Sequence, residues 1–122
     1  MTIKFGHSIP TLRIFSEAKA REFYLDFLGF EVTFEHRYEE GFPIFMGIRQ
    51  GACHLHLSEH HGDACPGSSL SIEVTGCKEY QEALLAKDYA FSKPGGEETE
   101  WHAWETTIRD PFGNKLTFFE NK

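Results

Sequence analysis

His54 and His56 stand two apart in Ala52-Cys-His-Leu-His-Leu-Ser58, and in an extended strand that spacing puts both imidazoles on one face. Imidazole holds divalent ions and moves protons near neutral pH, so the pair is a candidate metal site if a third donor joins it. A catalytic divalent ion takes about three protein ligands. His60 and His61 follow in the next loop, and His7, His36 and His102 lie elsewhere. Spacing fixes no third ligand, so the simpler reading makes His54 and His56 polar residues of a sheet face and His60 and His61 solvated loop residues.

Aromatic residues outside the apolar runs form a second group. Trp101 and Trp104 fall in a loop and at a strand start, and Phe34, Tyr38, Phe42 and Phe45 surround a hairpin. Flat rings at the rim of a crevice stack on planar ligands or attract a cation across their faces. Packing at a subunit interface is the other reading. Glu73 and Glu105 are candidate carboxylates on the same sheet face, and Glu39-Glu40 and Glu97-Glu98 are acidic loops. Nothing fixes two carboxylates at the separation that acid and base work needs. No Ser, His, Asp series or phosphate-cradling glycine loop is present.

The 122 residues carry 40% hydrophobic and 15% aromatic side chains, 12 of them Phe, enough for one domain with its own core. A formal net charge of −7 disfavours nucleic acid and anionic membranes and favours a cationic small molecule. Cys53, Cys65 and Cys77 are odd in number and widely spaced, which argues against a disulfide framework or zinc knuckle. No segment reaches the roughly 20 apolar residues of a membrane span. A cytoplasmic protein is expected.

The elements that must position these residues come twice. Ile9 to Phe15 reads as a strand, with Ser16 as N-cap of a helix from Glu17. Ala20, Phe23, Tyr24, Phe27 and Leu28 form its apolar stripe, closed by Gly29. Strands follow over Glu31 to His36, Ile44 to Arg49 and Ala52 to Ser58. After a Gly, Pro, Ser and His loop from Glu59 to Ser68 the order begins again: a strand Ser69 to Val74, a helix marked by Cys77, Tyr80, Leu84 and Lys87, a short strand Ala90 to Ser92, and a hairpin of Glu105 to Arg109 and Lys115 to Glu120 turned at Pro111 and Gly113. The period is about 60 residues. Alternation puts Leu12, Ile14, Leu55, Leu57, Leu70, Ile72, Val74, Ile108, Leu116 and Phe118 toward the helices. Thr11, Arg13, His54, His56, Ser71, Glu73, Thr107, Thr117 and Phe119 line the other face.

Strand, helix and three strands, repeated, with Phe23-Tyr24-x-x-x-Leu28-Gly29-Phe30 and Asp110-Pro111-x-Gly113-Asn114, resembles the glyoxalase and bleomycin-resistance superfamily, also called vicinal oxygen chelate. The resemblance covers nearly the whole chain. It is strongest to the bleomycin-resistance proteins, through His54-Leu-His-Leu-Ser58, Ile72-Glu-Val-Thr75 and Arg109-Asp-Pro-x-Gly-Asn114. It implies an α+β fold of two βαβββ modules, about 1–60 and 67–122, forming a curved mixed sheet with helices on its outer face. It also implies a homodimer with ligand held between modules or subunits.

Metal-using relatives place His, Glu or Gln at up to four positions of the sheet face, which carry over to Ile9, His56, Ser69 and Thr117. Only His56 is a good ligand, because Ile9 offers no donor and neutral hydroxyls bind such ions poorly. The resemblance therefore implies capture rather than turnover: no cofactor, no metal and no catalytic residue. The expected function is sequestration of a small amphipathic cationic ligand of the bleomycin type, conferring drug resistance. Phe34, Tyr38, Phe45, His54, His56, Trp101, Trp104, Glu105 and Thr117 are its expected binding residues. The alternatives are a metal-dependent glyoxalase, dioxygenase or thiol transferase using His56 with other partners, and a binder of an unknown metabolite.

Overall fold

The protein is described by a computed structural model covering residues 2–122. Ser16 opens the first helix by accepting the Lys19 amide at 3.2 Å. The α-helical turn α1 (Glu17–Ala20) widens at once into a π-helical stretch (Arg21–Phe27). Its last turn is closed by Leu28 N donating to Phe23 O at 2.9 Å. A π turn holds more residues than an α turn, and here Phe23, Tyr24, Phe27 and Leu28 are all buried together. Gly29, at φ +90°, then turns the chain in a conformation that a side chain would resist.

Among the described residues, seven strands form two sheets. In the first, β1 (Thr11–Arg13) runs parallel to β4 (Cys53–Ser58), β4 pairs antiparallel with β3 (Phe45–Gln50), and β3 with β2 (Glu31–His36). In the second, β5 (Ser69–Glu73) runs parallel to β7 (Lys115–Asn121), which pairs antiparallel with β6 (His102–Arg109). The chain is thus α+β, as the resemblance implies, with its mixed strand pairing divided between two sheets that are not linked to each other by strand pairing. The expected short strand at Ala90 to Ser92 is a turn, and the missing strand of the second half is reduced to one bridge, Glu97 to Glu105. The first strand is three residues long, shorter than the expected Ile9 to Phe15.

The helix-facing residues read from alternation are where that reading put them. Leu12, Ile14, Leu55, Leu57, Ile108, Leu116 and Phe118 are buried in one core, with Leu70, Ile72 and Val74 packed against it. The helix of the second half, α2 (Cys77–Ala86), packs on the first: Tyr80 Oη donates to Leu28 O at 2.7 Å, and Lys87 Nζ donates to Phe27 O at 2.6 Å. Its N-terminus is capped from a distance, because Glu120 Oε1 accepts the amides of both Gly76 and Cys77 at 2.9 Å. A carboxylate there also meets the positive end of the helix dipole. Among the described residues, no helix is long and apolar enough to cross a membrane.

The Asp110-Pro-Phe-Gly-Asn114 turn is a buried clamp. Asp110 Oδ1 accepts the amides of Phe112 and Asn114, and Oδ2 accepts Tyr24 Oη and Asn114 Nδ2, both at 2.7 Å. Asn114 in turn donates to Arg13 O and accepts the Ser68 amide. The turn therefore ties the first helix, β1 and the entry of β5 to the last hairpin. Burial first, and then the carboxylate beside it, push the Tyr24 hydroxyl far above its ordinary range, so it stays a donor at any physiological pH.

Candidate aromatic binding faces

Each sheet turns one face to the helices and leaves the other open, and two bulges decide what stands on the open faces. In the β2–β3 pair Val32 lies opposite Ile48, but Phe34 lies opposite Gly47, so Thr33 is an extra residue. Strict alternation would put Phe34 on the core side with Val32. The bulge moves it to the open face, one of the re-aimings that bulges perform. In the β6–β7 pair Trp104 lies opposite Glu120 and His102 opposite Asn121, which leaves Ala103 unpaired. His102 is carried to the open face in the same way.

On the first sheet the row Thr11, His56, Gly47, Phe34 crosses all four strands. Gly47 leaves room for a ring above it: a Cβ built there would overlap Phe34 Cε1 and come within 2.6 Å of Thr33 Oγ1. Phe34 meets His56 edge-on at 5.3 Å and stacks with Phe45 at 5.9 Å, and Phe45 meets His56 at 5.1 Å. Phe34, Phe45 and His56 thus form one aromatic patch, and Phe34 is 42% exposed although apolar. His54 is half-buried on the same strand face, opposite Arg49, which pairs with Glu31 at 2.7 Å. Tyr38 is exposed at the end of the patch with its ring edge-on to His36.

On the second sheet Ser71, Thr117 and Thr107 form one row and Glu73, Phe119 and Glu105 the next. The Thr107 and Thr117 hydroxyls are 3.1 Å apart. His102 Nδ1 is 2.5 Å from Glu105 Oε2, and its ring lies 4.5 Å from that of Phe119. The hydrogen bond from His102 holds the Glu105 carboxyl below the usual carboxylate range, against the opposing effect of burial.

The expected binding residues therefore divide into two groups on two sheets: Phe34, Phe45, His54 and His56 on the first, Glu105 and Thr117 on the second. Trp101 stands exposed in the loop before β6. Trp104 does not join them. It shares the helix-facing side of its strand with Glu120 and the α2 side of the sheet, where Lys78 Nζ lies 4.9 Å over its ring and its indole fills the space above Gly96. The physical reason is parity, since Glu105 and Trp104 are neighbours on one strand and cannot share a face. His102 and Phe119, the latter placed on this face by alternation, were absent from the expected binding set. The Ala103 bulge that exposes His102 has no signature in a single sequence.

The donor set does not fit a divalent ion. Among the described residues no three His, Cys, Asp or Glu side chains converge as a metal site would need, and His56 is flanked by phenylalanine rings in place of further donors.

The family model described as glyoxalase superfamily protein matches residues 1–122, and the chain belongs to that superfamily. Among solved structures, the bleomycin-binding protein of bleomycin-producing Streptomyces verticillus, complexed with copper(II)-bleomycin, is 32% identical, with 99% of this chain and 100% of that chain covered and a TM-score of 0.72. TnmS3, an antibiotic binding protein from Streptomyces sp. CB03234, has a TM-score of 0.76 at 16% identity over 99% and 100% of the two chains. A glyoxylase/bleomycin resistance protein/dioxygenase domain from Frankia sp. EAN1pec has a TM-score of 0.69 at 21% identity over 98% and 94%. No curated protein matches the chain.

Proposed function

We propose that the protein captures a small, partly aromatic, cationic antibiotic of the bleomycin type without chemically changing it. The observation that carries this reading is the Phe34, Phe45 and His56 patch, opened by Gly47 and by the bulge at Thr33. A bulge and a glycine that together hold an apolar ring out toward solvent contribute nothing to the core, and stacking on a planar ligand explains them. The similarity over the full chain to a bleomycin-binding protein supports the ligand class. The net charge of −7 favours a cation at long range.

The ligand crevice lies between the open face of the first sheet in one copy and that of the second sheet in another, within a homodimer. This arrangement covers both faces and joins the aromatic patch to the Thr107, Thr117 and Glu105 face. The two modules, about 1–60 and 67–122, serve as the two halves of that crevice. Drug resistance follows from sequestration in the cytoplasm.

Isothermal titration of the untagged protein with bleomycin tests the reading. Binding at micromolar concentration or tighter, lost in Phe34→Ala, supports it. Absence of heat at micromolar concentrations overturns it.

A further inference from the structure

His102 is presented with more structure than a surface histidine needs. The Ala103 bulge turns it to the open face, and Glu105 Oε2 holds its Nδ1 at 2.5 Å. The same oxygen accepts Thr99 Oγ1 at 3.1 Å. Thr99 is fixed in turn, because its hydroxyl accepts the His102 amide at 3.0 Å and its own amide donates to His102 O at 3.1 Å. Phe119 lies against the ring at 4.5 Å. Glu105 also lines an open cavity of about 410 Å³ with Gly95, Gly96, Glu97 and Thr107.

These contacts choose a tautomer. An anionic Glu105 accepts the Nδ1 proton, so the neutral ring carries its lone pair on Nε2. A carboxylate behind an imidazole is the arrangement that orients histidine ligands and raises their basicity toward metals. Yet no cluster of three donors exists among the described residues, and one imidazole cannot hold a bare divalent ion. It can add one bond to an ion that is already chelated.

We propose that His102 Nε2 coordinates a transition-metal ion carried into the crevice by the ligand, with Glu105 as the positioning residue. The inference rests on the antibiotic-capture reading. The ligand class it adds is a metal chelate with one open or water-filled coordination position. The Nε2 lone pair forms the new bond, any water there leaves, the Nδ1 proton stays shared with Glu105, and the metal keeps its oxidation state.

The test uses untagged full-length protein with metal-free and copper(II)-loaded bleomycin, followed by titration calorimetry and by electron paramagnetic resonance of the bound copper. The wild type is expected to bind the copper form at least about tenfold more tightly and to add one nitrogen to the copper hyperfine pattern. His102→Ala, with its fold checked by circular dichroism, is expected to lose both the extra nitrogen and the copper preference. Glu105→Gln is expected to keep the nitrogen and weaken the preference. Identical copper spectra in wild type and His102→Ala overturn the proposal, including the case in which His102 only hydrogen-bonds the ligand. Equal binding of both forms overturns it while leaving antibiotic capture standing. Binding of neither form overturns both.

Discussion

Phe34 stands opposite Gly47, and its ring occupies the space that a side chain at 47 would need. The pair ties the aromatic patch to a backbone position on the neighbouring strand. Gly47→Val is expected to push Phe34 off the sheet and to destabilise the fold by about 1–3 kcal/mol through overpacking. Urea denaturation measures the cost, and titration of the folded variant is expected to show at least tenfold weaker bleomycin binding. A variant as stable and as tight-binding as the wild type contradicts the placement of the ring.

The Asp110 clamp sets a second expectation. Tyr24→Phe removes one of four hydrogen bonds to a buried carboxylate and is expected to cost about 2 kcal/mol. Asp110→Ala strands several buried donors at once and is expected to cost more than about 3 kcal/mol, a large part of a typical domain's stability. Chemical denaturation of both variants checks the order. Equal effects would mean that the tyrosine carries the clamp alone.

Stability is expected to fall in acid in part through Glu17. Its carboxylate accepts Arg37 and Arg21, and the hydrogen bond from Arg37, opposed by burial, holds it below the ordinary value of 4.5. A carboxyl group lowered in the folded state stabilises the fold above its unfolded value, and that contribution is lost as pH falls through the folded one. The urea midpoint of the wild type should therefore decline from pH 5 downward, and Glu17→Gln should decline less steeply. Parallel profiles would remove Glu17 from the account.

Much of this molecule is legible in its sequence because burial imposes a period. The stripe from Ala20 to Leu28 and the alternating residues of β4 and β7 face the core as their spacing predicts. The Asp-Pro-x-Gly-Asn turn could be located, although its role as a clamp depends on Tyr24, 86 residues away. The Glu120 cap on α2 is hidden for the same reason, since it joins residues 44 apart.

The open faces were only half legible. His56 and Thr117 follow from alternation, whereas Phe34 and His102 reach their faces through single unpaired residues, Thr33 and Ala103. One inserted residue reverses every side chain beyond it, and no local residue type announces the insertion. Trp104 takes the opposite face from the one its type suggests. A large ring at a strand start suggested recognition, but the register of Glu105 against Phe119 sends it to the helix side.

The most direct measurement is a two-dimensional ¹⁵N–¹H spectrum of the labelled protein titrated with metal-free bleomycin. Amide shifts are expected to concentrate at Phe34, Phe45, Gly47 and His56 on the first sheet and at Glu105, Thr107 and Thr117 on the second, with Gly47 among the largest. Shifts confined to the helices, or none at saturating antibiotic, would contradict capture on the open faces.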